Sequence, residues 1–412
     1  MGIGSLKSHR SDIVLAILFL ALSAGLVLIP TGYEQRVDTR AVRSSGEVLE
    51  VDNSQMHRTG MVQRGDQEVT LRLLDGPFEG RVVQGNNPLL GMMDRDKVFA
   101  PGDTALVVLT VNEEGEIAYV NPQAHNRLGL ELILLGLFAA ALVLFGGWTG
   151  VKALLSFVFA ALMLWRILVP SLLKGHDPLL VSLLVVAVLT GAIIFLVAGP
   201  TRKGVTAFFG AFLGVMTSCG LAVVFTREFH VHGAVLPFAE TLLYSGFAHL
   251  DLTRIFIAAV FLAASGAVMD LAMDVAASMD ELVSKHPDIG RLDAMKSGLR
   301  VGRVVVGTMT TTLLLAYSGG YITLFMAFMA QGVPLGNLFN LVYVAAEVLK
   351  TLVGSFGLVM VAPFTALVGG MVLTRRRAAP VQRSPFPVAV PWTSDRKGEW
   401  PAGDEQGELQ AL

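Results

Sequence analysis

The chain has 412 residues, 53% of them hydrophobic and only 16% charged, with a formal net charge of -2. That balance excludes an ordinary soluble domain, and the near-zero charge gives no general attraction to nucleic acid. One cysteine, Cys219, excludes an internal disulfide or a cysteine-rich metal centre. Lying in an apolar run, it reads as a small buried apolar side chain.

In chain order, Lys7 and Arg10 precede an apolar run from Ile13 to Ile29. Residues 1–29 read as an uncleaved signal-anchor span, because the run is about 17 residues long and no A-x-A site follows it. Residues 30–127 are polar and carry turn signals at Asp75-Gly76-Pro77, Gly85-Asn86-Asn87-Pro88 and Pro101-Gly102-Asp103. Val69–Leu73 alternates in polarity and Ala105–Val111 reads as a buried strand. Short strands between turns predict a small β-rich domain, an OB-like barrel or a sandwich, delivered to the extracytoplasmic side.

Residues 128–373 predict a seven-span helical membrane domain. Its spans are Leu128–Gly147, Val151–Leu172, Leu179–Gly199, Gly204–Phe225, Ile255–Ala277, Val304–Ala330 and Val342–Leu373. Each is long enough for ~30 Å of hydrocarbon. The last two exceed that need and contain Ser318-Gly319-Gly320 and Pro363, which predict a kink, tilt or break. Residues 233–250 suit an interfacial or re-entrant helix. The expected fold is therefore mainly α, a polytopic membrane bundle of about eight spans with a small β-rich extracytoplasmic domain.

Basic residues give the bundle a direction. Lys7, Arg10, Lys152, Arg202, Lys203, Lys285, Arg291, Lys296, Arg300, Arg303 and Arg375-Arg376-Arg377 fall in alternate connections, whereas the short connections on the other side hold only Lys174, Arg227 and Arg254; the long segment 30–127 holds several arginines but, as a translocated domain, escapes the positive-inside rule. The rule then puts both termini in the cytoplasm. Residues 374–412, rich in Pro, Arg, Asp and Glu without periodicity, read as a disordered tail. The expected partners are the lipid bilayer and either further copies or another membrane protein.

Walker loops, HExxH and nucleophile elbows are absent from the sequence, so neither an enzyme nor a cofactor is expected. The sharpest polar feature is Asp270 with Asp274, an i, i+4 pair on one helix face. Carboxylates in a bilayer face a protein interior or a wet cavity, and a carboxyl titrating near neutrality there can carry a proton. The bland alternative is a span ending early, with Asp274 at the wet start of the next loop. Thr308, Thr310, Thr311 and Thr312, followed by Tyr317, form a second group of candidates. Their hydroxyls either line a polar path or bond their own helix. Glu347 is the last pathway candidate; paired with Lys350 at i, i+3 it is equally an interfacial salt bridge. Arg166 and Glu131 read as snorkelling or paired near span ends. His230, His232 and His249 with Asp251 lack a forced fourth ligand, so no metal site is expected. Gly210 and Gly214 form a GxxxG match that predicts close helix packing.

Several of these residues resemble the YibE/F family of bacterial multi-pass membrane proteins. The marks are Gly302-Arg303, the run Gly307 to Tyr317, and Leu352 to Leu358 followed by Ala362-Pro363. Thr311 stands where the family is expected to carry Asn. The resemblance supports the membrane topology and implies no particular activity. A weaker resemblance links the chain to resistance–nodulation–division permeases and SecD/SecF export proteins. It rests on Gly266 to Asp270, the segment Ala294 to Gly298, and Thr308 to Thr312. That resemblance implies proton coupling at Asp270, although Leu271 stands where many such permeases have a second aspartate. The expectation is a permease or export-associated protein, proton-coupled through Asp270. The alternative is a non-transporting scaffold or sensor whose β domain binds a ligand or partner.

Overall fold

Alternating polarity makes the first domain. A computed structural model of the chain describes residues 3–34 and 41–374. The Lys7 and Arg10 side chains and the tail from residue 375 lie outside the described residues. Six strands, β1 (Ala41–Asp52), β2 (Met56–Thr59), β3 (Val62–Leu73), β4 (Val82–Leu90), β5 (Thr104–Val111) and β6 (Ile117–His125), form one curled antiparallel sheet. The order is β4-β3-β1-β5-β6, with β2 beside the start of β3. Val69, Leu71 and Leu73 point inward with Val48, Val107 and Leu109, the period-2 pattern of a strand with one buried face.

The sheet holds a fully buried amide clamp. Gln67 Nε2 donates to Phe99 O at 2.9 Å and to Asn53 Oδ1 at 2.8 Å. Its Oε1 accepts from Phe99 N–H at 3.0 Å and from Asn87 Nδ2 at 3.1 Å. Asn87 also donates to Lys97 O at 2.6 Å, so two side chains tie the irregular segment before β5 to the sheet. This explains one correction. Gly85-Asn86-Asn87-Pro88, expected as a turn, lies inside β4. Asn86 donates to Asp66 and the Asn87 amide nitrogen donates into the clamp, so the side-chain donors of these usual turn residues find partners outside β4. Gly85 is where β6 closes in: a Cβ there would lie 3.0 Å from Val120 O and from Pro122 Cδ. Pro88 costs no ladder partner, because β4 pairs only with β3 and leaves its other edge free. The signal at Pro101-Gly102-Asp103 does form a turn, with Gly102 at φ +92°.

Helices make up the rest. They are α1 (Ile3–Leu28), α2 (Leu128–Met163), α3 (Val169–Leu173), α4 (Pro178–Ala198), α5 (Arg202–Glu228), α6 (Ala239–Tyr244), α7 (Leu252–Lys285), α8 (Arg291–Ser318), α9 (Ile322–Ala330), α10 (Leu335–Asn340) and α11 (Val342–Val372). A π-helical turn, Leu164–Leu168, joins α2 to α3. Among the described residues, 6 helical stretches are long and apolar enough to cross a membrane. One of them, Leu128–Leu173, is not straight. Gly147 sits at φ 52°, ψ -129°, and the Phe138 and Phe157 rings on either side of it are 5.9 Å apart. Nineteen residues of straight helix would separate them by roughly 28 Å. The chain therefore doubles back at Gly147 into a tight helical hairpin, a conformation open in practice only to glycine.

Caps start the next helices. Asp177 accepts from Leu179 and Leu180 N–H and precedes Pro178; Thr201 accepts from Gly204 N–H; Asp251 accepts from Arg254 N–H. Arg254 also pairs with Asp177, tying the start of α7 to the start of α4. α5, α7 and α11 share the main core, which includes Phe256, Phe261, Leu271 and Leu358. The GxxxG expectation is met by geometry: a Cβ on Gly210 would lie 2.0 Å from Thr365 Oγ1 of α11. The last two spans differ from each other. α8 gives way to a 3-10 turn at Gly319–Tyr321, whereas α11 runs unbroken through Pro363.

Candidate functional site

α7 buries Met269, Leu271, Ala272 and Val275 and leaves Gly266, Asp270 and Asp274 exposed. Helical spacing puts those three on one stripe. The stripe lines a groove of ≈ 490 Å³ whose other walls are Ile193, Ile194 and Val197 of α4 and Met309 of α8, with Met269 and Met273 of α7 beside the carboxylates. Among the described residues, neither Asp270 nor Asp274 has an ion-pair or hydrogen-bond partner. The result is an apolar groove carrying two unneutralised carboxylates one turn apart, an arrangement suited to a cation.

The threonines do not line this groove; of their turn only Met309 reaches it. Thr308 Oγ1 donates to Val305 O at 3.0 Å, Thr310 to Val306 O at 3.0 Å, and Thr312 to Thr308 O at 3.3 Å. These hydroxyls satisfy their own helix, and Thr308, Thr311 and Thr312 face outward from the bundle.

Tyr317 and Glu347 belong to a different level. Glu347 Oε1 accepts from Lys350 Nζ at 2.6 Å, and that ammonium lies 5.9 Å from the Phe256 ring centroid. The Tyr321 hydroxyl lies near the Glu347 carboxylate. Tyr317 lies beside Gly354, where a Cβ would be 3.8 Å from its hydroxyl. Phe256 and Asp270 are separated by ~21 Å of helix at 1.5 Å per residue. The sequence candidates therefore fall into two places: Asp270 and Asp274 at one groove, Tyr317 and Glu347 at an ion pair toward the opposite end of α7.

Other candidates have local tasks. His249 Nε2 donates to Leu173 O at 3.2 Å, and Asp251 caps α7. Arg166 donates to Ile29 O at 3.1 Å, joining the end of α1 to the helical hairpin. Sequence reasoning passed over Met269, Met273, Met309 and Tyr321. A signal for the first two was present: Met269-Asp270 and Met273-Asp274 repeat one dipeptide a helical turn apart.

A family model for YibE/F-like proteins matches residues 134–375. The match covers the helical region and not the β domain. Comparison with curated proteins and with solved structures finds no match.

Proposed function

Because the chain belongs to the YibE/F-like protein family, we propose that it is a bacterial cell-membrane permease or export-associated protein. The observation that carries the reading is the pair of unpartnered carboxylates, Asp270 and Asp274, in a groove between three apolar helices. Intramembrane carboxylates are costly and are kept where an ion or substrate passes. Asp270 is the coupling group, with a proton as the coupling ion. The groove needs neither cofactor nor nucleic acid, and the protein is a carrier rather than an enzyme.

The proposed topology has eight crossings: α1, the two legs of the Gly147 hairpin, α4, α5, α7, the α8–α9 stretch, and α11. Counting the hairpin as two spans supports this number, since each leg is long enough for the hydrocarbon core. Both termini are then cytoplasmic, with Lys152, Arg202, Lys203, Arg300 and Arg303 at cytoplasmic turns. The β domain is extracytoplasmic. Its strand order, with β4 brought against β6 but unpaired, supports an OB-type partly open barrel. The bilayer and further copies of the chain, or another membrane protein, are its partners.

The deciding experiment is proton flux in proteoliposomes. Asp270→Asn is expected to abolish flux that the unmodified protein supports; unchanged flux removes the coupling role. One observation favours the scaffold or sensor alternative. The β4–β6 seam opens into a groove of ≈ 450 Å³ lined by Glu68, Gln84, Asn86 and Tyr119, a place for a ligand. A protein without flux whose seam residues alone control partner recovery would fit that alternative.

A further inference from the structure

Three of the eight residues lining the α4–α7–α8 groove are methionines, although methionine makes up only 16 of 412 residues. Met269 and Met273 stand at i, i+4 on α7, each next to one of the two aspartates; Met269 is buried in the core at the groove wall, Met273 is partly buried, and Met309 lines the groove from α8. Methionine often fills gaps in cores. Here Met273 and Met309 are only partly buried: they pack against the core on one side and border the open groove on the other. Thioethers are soft, uncharged donors that select copper(I) and its congener silver(I) over harder ions. Uncharged donors leave the ion's positive charge to be balanced, and the unpaired carboxylates supply that balance. Borderline divalent ions find less: among the described residues no group of three or more His, Cys, Asp or Glu side chains is placed to hold a metal.

We propose that this groove binds a soft monovalent cation, copper(I) or silver(I), through the thioethers of Met269, Met273 and Met309, with Asp270 and Asp274 balancing its charge. The inference names a cargo class for the groove on which the permease reading rests. It is tested by binding alone, so the two can fail separately: absent flux leaves a bound ion intact, and absent binding leaves proton flux intact.

The experiment uses the full chain in nanodiscs, carrying Cys219→Ser so that the single thiol does not compete. Silver(I) is titrated calorimetrically, and copper(I) is competed against a chromophoric chelator. One ion per chain is expected. Met269→Leu/Met273→Leu/Met309→Leu, close to volume-conserving, is expected to lose it while keeping the parent melting transition. Asp270→Asn is expected to weaken binding by about 10–100-fold, the scale on which groups supporting a metal site act. Should the triple variant fail to fold, Met309→Leu alone reads the same site, at a partly buried position. No stoichiometric binding by the parent overturns the proposal. So does full retention by the triple variant, or by Met309→Leu in its place, and so does zinc(II) binding as tightly as silver(I).

Discussion

Glu347 and Lys350 meet at 2.6 Å one turn apart on α11, with side chains only 10% and 19% exposed. Removing one partner leaves the other charge largely without water. Glu347→Gln is therefore expected to destabilise the protein by up to about 3 kcal/mol, the low end for buried pairs because Lys350 can partly reach out. The double variant Glu347→Gln/Lys350→Met should recover most of the loss. Melting midpoints of the parent, Glu347→Gln, Lys350→Met and the double variant in one detergent form the cycle that checks it; a double variant no better than Glu347→Gln would contradict it.

A Cβ on Gly357 would fall 1.9 Å from Ser218 Oγ, at the crossing of α11 and α5. Gly357→Val should force the helices apart and cost about 1–3 kcal/mol. Gly307→Ala is the control, because nothing lies within 4 Å of its added carbon, and it should be neutral or slightly stabilising. The comparison is read in thermal midpoints.

The amide clamp gives a third expectation. Gln67→Leu would orphan the Phe99 N–H and C=O and take one of two acceptors from the buried Asn87 amide, at about 1–3 kcal/mol for each buried group left unpaired. Hydrogen exchange should rise in residues 91–103 and stay unchanged in α7. Equal protection in both proteins would show that the clamp does not hold the segment.

Acid should loosen the contact between β1 and the connection that follows β3. Asp75 Oδ1 accepts from Ser45 N–H at 2.7 Å. That backbone bond, helped by the neighbouring Ser44 hydroxyl, holds its carboxyl below the usual range. A depressed carboxyl pKa stabilises the fold above the unfolded value near ~3.9, and the contribution is lost as pH falls through the folded value. Exchange at residues 41–52 should rise below about pH 4. Asp75→Asn should remove that dependence.

Side-specific labelling tests the hairpin. In a Cys219→Ser background, Trp148→Cys should react with an impermeant thiol reagent from the side that also labels Arg202→Cys. Labelling from the opposite side would show that residues 128–173 do not return.

What the sequence made legible follows from what each signal measures. Transfer energetics located nearly every helix, because apolar length is local information. Helix ends were less visible: α7 and α8 extend past their apolar stretches, since polar turns such as Ser278–Lys285 continue a helix once it is begun. Gly85–Pro88 misled because turn composition is local while the partners that satisfy Asn86 and Asn87 are distant. The carboxylate pair was legible from its spacing. That Met309, and none of the four threonines, faces the pair was not, because it depends on how α8 is rotated against α7.

The reversal at Gly147 has a consequence for how the protein is made. Its two legs already touch through Phe138 and Phe157, so residues 128–173 are suited to enter the bilayer together as a loop pushed in from one face. Such a loop returns the chain to the face it left. The strand that ends at His125 and the Leu173–Asp177 segment then share a surface, where His249 and Arg254 fasten that segment. A lesion at one glycine would thus be felt as lost anchorage for the α7 start, about a hundred residues further along the chain.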